Sequence, residues 1–477
     1  MAEQSLKDKT VKGVIWSSVE RFSVQGVQFL VMLFIARLLE PKDFGLVGML
    51  AIFIAVAQTL IDSGFSQALI RKQNRTEADN STVFYFNIIV SFVLYLLLYC
   101  LASWVANFYD EPLLCPLMRF LCLIVIINSF GLVQRTIFTA NVDFKTQAKA
   151  SFAGAVVSGA IGVAMAFMGY GVWTLVWQQL INTLVTTVLM WLYSNWHPKL
   201  IYSWKSFREL FIFGSKLLVS ALLNTIYSNL YTLIIGKVFS AESLGQYTQA
   251  DRFTKLPSSN LTEIIHRVTF PALCKVQDNE DKLKGDYIIV LRLSAYIIFP
   301  LMCLLAGLSY PLVDFLIGSK WKFSASLIIP ICFSGMWYPI HGLNLNILQV
   351  MGRSDLFLKL EIIKKVVSTI VLVCTIPFGV LVMCYGLIVS SLINLYVNSY
   401  YTRQLIGLDY IAQLKELSGT LSSSLLMFGV VFISTFIVPY SFLQIVIGVL
   451  LGGLVFGGIS YLFKFTEFRY LMSLIKK

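Results

Sequence analysis

Arg252, Lys255, Ser259, Glu263 and His266 recur at intervals of three and four residues, so a helix over 244–271 would carry all five on one face. Two cations within a turn suit a diphosphate, because an Arg fork makes bidentate phosphate contacts and a Lys adds a compact charge. Asp251 adjoins Arg252 as a ready partner, and Pro257 is expected to bend the helix. A second stripe runs through Ser18, Arg21, Gln25 and Gln28, at i, i+3, i+7 and i+10, with Glu20 beside Arg21. Lys216, Ser220, Asn224, Tyr227 and Tyr231 form a third near-helical series. Lys216 lies near the end of its apolar run and can snorkel to the interface.

The elements that must position these charges are membrane helices. Of 477 residues, 57% are hydrophobic and only 13% are charged, more apolar than a soluble core of this length needs. Continuous apolar runs of about 20 residues recur along the chain, which excludes a barrel of short alternating strands. The expected fold is an all-α polytopic membrane protein of fourteen spans. Those bearing the candidate residues are 11–36, 44–70, 209–235 and 244–271. The first run is long, carries Glu20 and Arg21, and has no convincing cleavage site, so it is expected to stay in the mature protein.

Charge distribution sets the expected topology. With the amino terminus inside, most of the 37 Lys and Arg fall on inner loops and inner helix ends, with few outside. Both termini then face the cytoplasm. Removing the charged eighth span would reverse every later loop and place the following basic groups outside, so 244–271 is expected to cross. The net charge of +12 becomes a property of the cytoplasmic face, with about 1 kcal/mol of attraction to anionic lipid per suitably placed cation. Nucleic-acid binding is a poor reading of it.

Internal similarity adds a second argument. Ala36–Gly45 (ARLLEPKDFG) aligns with Gly236–Gly245 (GKVFSAESLG), and further matches follow in order: Ala68-Leu69 with Ala272-Leu273, Asp143-Phe144 with Asp355-Leu356, Gly171-Val172 with Gly379-Val380. Collinear matches imply a duplicated six-helix unit. Six is even, so both copies share one orientation, related by a pseudo-two-fold along the membrane normal with a site between lobes. The expected division is 1–200 (helices 1–6), 201–405 (helices 7–12) and 406–477 (helices 13–14 and a cytoplasmic tail).

The stretches Gly26–Phe53 and Leu60–Asn87, with Leu60-Ile61-Asp62-Ser63-Gly64-Phe65 among them, resemble the start of the Wzx-type polysaccharide flippases of the multidrug/oligosaccharidyl-lipid/polysaccharide exporter superfamily. That resemblance implies a V-shaped pair of lobes in the bacterial inner membrane. It also implies alternating access, moving an undecaprenyl-diphosphate-linked glycan from the cytoplasmic to the periplasmic leaflet. In related flippases a cationic cavity holds the diphosphate, lined by a charged pair in helix 1 that Glu20-Arg21 resembles. Arg21, Arg252, Lys255 and Lys216 are then the expected diphosphate contacts; Glu20, Ser18, Gln25, Gln28, Asn224, Tyr227 and Ser259 line the cavity. An ionisable residue at bilayer depth is a functional candidate by default; an Arg–Glu pair kept for packing is the competing account of helix 1.

Transport coupled to protons or sodium would need a group whose charge changes with state. Asp62, Asp251, Glu263 and His266 are the candidates, with Glu20 and His341 behind them. Asp62 has a hinge or capping role as its alternative, and His341 that of a satisfied buried histidine. The eight cysteines lack metal-ligand spacing, and neither a cofactor nor an enzymatic role is expected. Expected partners are the lipid-linked glycan, membrane lipids and other polysaccharide-assembly proteins. A drug or cation antiporter should present a more acidic cavity, and a glycan polymerase a large extramembrane loop.

Overall fold

The computed structural model describes residues 22–62, 64–72 and 74–469; the side chains of Lys216, Val268 and Ser354 lie outside that description. All regular structure among the described residues is helical. The chain divides into two compact units, Met1–Gly245 and Gln246–Lys477. The first unit holds α1 (Phe22–Leu38), then α2 (Pro41–Asp62), α3 (Phe65–Arg71), α4 (Glu77–Tyr109), α5 (Leu114–Leu121), α6 (Leu123–Ala140), α7 (Phe144–Phe167), α8 (Trp173–Tyr193), α9 (Trp204–Ser228) and α10 (Leu230–Val238). Helix α11 (Ala241–Cys274) contains the boundary. The second unit continues with α12 (Glu280–Gly307), α13 (Ser309–Ile317), α14 (Lys322–Gly335), α15 (Tyr338–Val350), α16 (Ser354–Thr375), α17 (Val380–Ile406), α18 (Tyr410–Ile437) and α19 (Ser441–Leu462).

Ten helical spans among the described residues are long and apolar enough to cross a membrane, and α9, bent by 44° at Lys216, makes an eleventh. Three further helices of comparable scale depart from that composition for identifiable reasons. Helix α1 is described only from Phe22, whereas α11 and α16 carry charges along their length. Helix α11 has 34 residues, about 51 Å at 1.5 Å per residue, ample for a crossing. It runs unbroken through Pro257 and Pro271.

Local chemistry explains where these helices start and stop. Thr76 and Asp79 form a reciprocal capping box at the start of α4, each side chain taking the other's backbone N–H. Asp110 ends α4 in the left-handed conformation. Between α2 and α3, Gly64 has φ +69°, and a Cβ there would come within 2.6 Å of the Gly214 carbonyl oxygen. Only glycine satisfies both demands, so the Asp62–Phe65 motif turns the chain where α9 approaches. Phe65, Phe86, Phe207 and Phe211 close around that turn, with ring centroids 4.9–6.2 Å apart.

Helix α9 packs on α2, α3 and α4 within the first unit. Thr59 and Thr225 share a hydrogen bond at 2.9 Å, Arg71 lies 4.6 Å from the Phe213 ring centroid, and Lys72 bridges to Glu209 at 3.0 Å. In the second unit α12 packs on α14 and α18, and α17 on α14, α15 and α16. A buried polar chain joins these helices: Asn344 and Gln413 exchange amide hydrogen bonds at 3.0 Å, and Thr402 donates to Asn344 Oδ1 at 2.7 Å. His341 has both ring nitrogens partnered, by Ser391 at 3.0 Å and Asn398 at 3.3 Å. On α19, Gly448 and Gly452 admit Leu308, Leu304 and Val431, whereas no described residue lies within 4 Å of a Cβ placed at Gly453, Gly457 or Gly458.

Candidate functional site

Four charged residues of α11 form two acid–base pairs of the same design. Asp251 binds Lys255 at 2.7 Å and Glu263 binds Arg267 at 2.6 Å, each acid four residues before its base, the orientation that favours the helix dipole. Pairing lowers the cost of carrying charge through a span. It does not neutralise the stretch 251–267, where Arg252, Lys255 and Arg267 stand against two carboxylates, Asp251 and Glu263; the third carboxylate of α11, Glu242, lies in its first turn. Arg252 and Lys255 are exposed, and the hydroxyl of Ser259 donates to the Lys255 carbonyl at 2.6 Å.

One turn further on, Ser259, Thr262, Glu263 and His266 line an open groove of about 410 Å³ whose opposite wall is Tyr338, the first residue of α15. The His266 ring stacks on Phe270, centroids 6.0 Å apart and 14° from parallel. Three of the residues expected on one face, Ser259, Glu263 and His266, therefore share a cavity wall. The surface that these side chains turn to the groove is apolar, and the Glu263 carboxylate is held by Arg267.

The remaining candidates belong to the first unit. Gln25 is half-buried and Gln28 exposed on α1, while Ser18, Glu20 and Arg21 lie outside the described residues. Asp62 is exposed at the last residue of α2. On α9, Asn224 is exposed and Tyr227 half-buried; the Asn224 carbonyl accepts from Ser228 at 2.8 Å. The backbone of Lys216 marks the 44° bend of α9, and its side chain lies outside the described residues.

Two charge groups were missed as candidates by reading the sequence. Helix α16 begins at Ser354, which puts Lys364 halfway along its 22 residues; only 13% of its side chain is exposed, and it pairs with Glu361. Lys365 next to it lines a second groove, of about 280 Å³, with Val366, Thr369 and Ile370. Arg292 on α12 donates to Glu416 on α18 at 2.6 Å. A count of charges inside apolar runs would have flagged α16. The cysteines are free, and no metal-binding group of His, Cys, Asp and Glu occurs among the described residues.

A family profile described as "Polysaccharide biosynthesis protein" matches residues 34–326 of this sequence. The chain belongs to the polysaccharide biosynthesis protein family. The matched stretch of this polysaccharide biosynthesis protein includes Asp62, the α9 residues and the whole charged face of α11. The chain is 25% identical over 362 residues to the lipopolysaccharide biosynthesis protein WzxC of Escherichia coli (strain K12), covering 76% of this chain and 74% of that one. It is 24% identical over 355 residues to the teichuronic acid biosynthesis protein TuaB of Bacillus subtilis (strain 168), covering 74% and 73%. Its fold is similar to that of the lipid II flippase MurJ in an inward closed conformation, with a TM-score of 0.77 at 15% identity, over 96% of this chain and 100% of that one. The resemblance expected from Gly26–Phe53 and Leu60–Asn87 thus extends to most of the sequence, and the fold is that of a polytopic helical membrane protein.

Proposed function

We propose that this polysaccharide biosynthesis protein is a flippase that carries an undecaprenyl-diphosphate-linked glycan from the cytoplasmic to the periplasmic leaflet of a bacterial inner membrane. It works by alternating access, with both termini in the cytoplasm. The observation that carries the reading is the stretch 251–267 of α11, where Arg252, Lys255 and Arg267 outnumber Asp251 and Glu263, on a helix long enough to cross the bilayer. A net positive charge at membrane depth is costly unless it meets an anion or water, and a lipid diphosphate is an anion that travels through the bilayer plane. Lipopolysaccharide and teichuronic acid, in whose biosynthesis the two relatives are named, are surface glycans.

In this mechanism Arg252 and Lys255 receive the diphosphate, with Arg21 and Lys216 contributing further cations. Ser18, Glu20, Gln25, Gln28, Asn224, Tyr227 and Ser259 line the path of the glycan. Glu263 and His266 serve proton or sodium coupling, with Asp62 and Asp251 as further acids. No step makes or breaks a covalent bond, so the protein acts as a transporter. Neighbouring polysaccharide-assembly proteins would deliver and collect the lipid-linked glycan.

The test is glycan export in a deletion strain, with membrane abundance measured beside it. Arg252→Ala is expected to abolish export while the protein reaches the membrane. Lys255→Glu is expected to be worse than Lys255→Ala, because the new carboxylate repels both the diphosphate and Asp251. Normal export by Arg252→Ala and Lys255→Glu together would refute this site.

A further inference from the structure

The linker from α8 to α9 exposes apolar side chains beside cations. Leu200 is 95% exposed and Trp204 68%, with Ile201 and Tyr202 also exposed; Lys199, Lys205 and Arg208 are exposed beside them. Isolated apolar side chains on a surface need no explanation, but four within five residues mark a site that meets something other than water.

The position says what covers it. Helix α8 has 21 residues, about 31 Å of rise, which matches the hydrocarbon core, so the chain leaves the core as the linker begins. Aromatic side chains with a polar edge concentrate at headgroup depth. Trp204 and Tyr202 stack on Phe207, with centroids 5.1 and 6.5 Å away.

The linker is also fixed in shape. Trp196 Nε1 donates to Glu77 at 3.0 Å, the Lys199 N–H to Ser81 Oγ at 3.1 Å, and the Ser203 N–H to Thr82 Oγ1 at 2.9 Å. Three anchors on the first turns of α4 hold the backbone, so the apolar and basic side chains are displayed together without a further ordering cost.

We infer that residues 199–208 form a docking platform for the headgroup of an anionic glycerophospholipid, with Lys199, Lys205 and Arg208 on the phosphate and Leu200, Ile201 and Trp204 against the glycerol and upper acyl region. The apolar half of the platform selects a lipid over free phosphate, and the three cations select an anionic headgroup over a zwitterionic one. The platform joins α9 at its first turn, so a bound lipid steadies the segment that ends at the Lys216 bend.

The full-length protein in neutral detergent would be melted with added phosphatidylglycerol, phosphatidylcholine or inorganic phosphate. Phosphatidylglycerol is expected to raise Tm where the other two do not. The Lys199→Gln/Lys205→Gln/Arg208→Gln variant is expected to lose most of that rise, and Leu200→Ser, at a side chain with almost no protein contact, to lose part of it. A Lys145→Gln/Lys149→Gln control on α7 is expected to keep it. A full rise in the triple variant, an equal rise with inorganic phosphate, or an equal loss in the control would each overturn the platform.

Discussion

Gly45 lies so close to Ala241 that a Cβ on Gly45 would overlap the Ala241 carbonyl oxygen, and a Cβ on Gly245 would overlap that of Pro41. Gly45 aligns with Gly245 and Pro41 with Ala241 in the internal repeat, so the starts of α2 and α11 meet through a reciprocal contact of equivalent residues, as a local two-fold requires. The obstructing atoms are backbone and cannot rotate away. Gly45→Val and Gly245→Val are each expected to destabilise by at least the ~1–3 kcal/mol of overpacking. Thermal melts of the purified variants check this, with Gly453→Val, whose Cβ meets no described residue within 4 Å, expected to match the parent.

Lys72 joins three helices. Its ammonium lies 3.0 Å from both Asp79, which is 1% exposed, and Glu209, which is 58% exposed. Burial pulls its pKa down, but the hydrogen bonds and charges of the two carboxylates outweigh that and hold it above its ordinary value. A raised folded value adds stability that is complete below the unfolded pKa of about 10.4 and fades as pH rises through the folded one. The contribution is therefore flat across neutral pH and falls only in strong alkali. Lys72→Met is expected to cost about 1–3 kcal/mol, because buried Asp79 loses its cation while keeping its bonds to Thr76, whereas Glu209→Gln at the exposed end costs under about 1 kcal/mol. Denaturation followed from neutral to alkaline pH should show Tm of the parent and the Lys72→Met protein converging at the alkaline end; a constant gap would refute the assignment.

What was legible in the sequence follows from what is local. Apolar runs announce helices, and the aligned Ala36–Gly45 and Gly236–Gly245 segments pair α2 with α11, the helices that meet at Gly45 and Gly245. The tie between Lys72 and Glu209 is not local, since the partners are 137 residues apart, so the packing of α9 on the first unit was not legible. The same holds for Gly64 against Gly214, where each glycine by itself reads as a loose turn or a weak helix position. Lys364 escaped for a different reason. Helix α16 begins at Ser354, before the apolar run that hydropathy reads as the span, and that difference makes a mid-helix cation look like an interfacial one.

That misplaced cation gives the sharpest test of α16. Lys364, 13% exposed, and Glu361, 30% exposed, pair across one turn of the helix. Glu361→Gln strands a nearly buried ammonium, and Lys364→Met strands a carboxylate that is less buried. Removing one partner of a buried pair costs ~3–5 kcal/mol, and replacing both by apolar groups is often neutral or better; the partial exposure here puts the single variants toward the lower end. Lys364→Met is expected to be milder than Glu361→Gln, and Glu361→Leu/Lys364→Leu more stable than either, a coupling opposite in sign to additivity. The measurement is a double-mutant cycle in Tm and membrane abundance. A double variant as unstable as the sum of its singles would mean that the two side chains do not act as a pair.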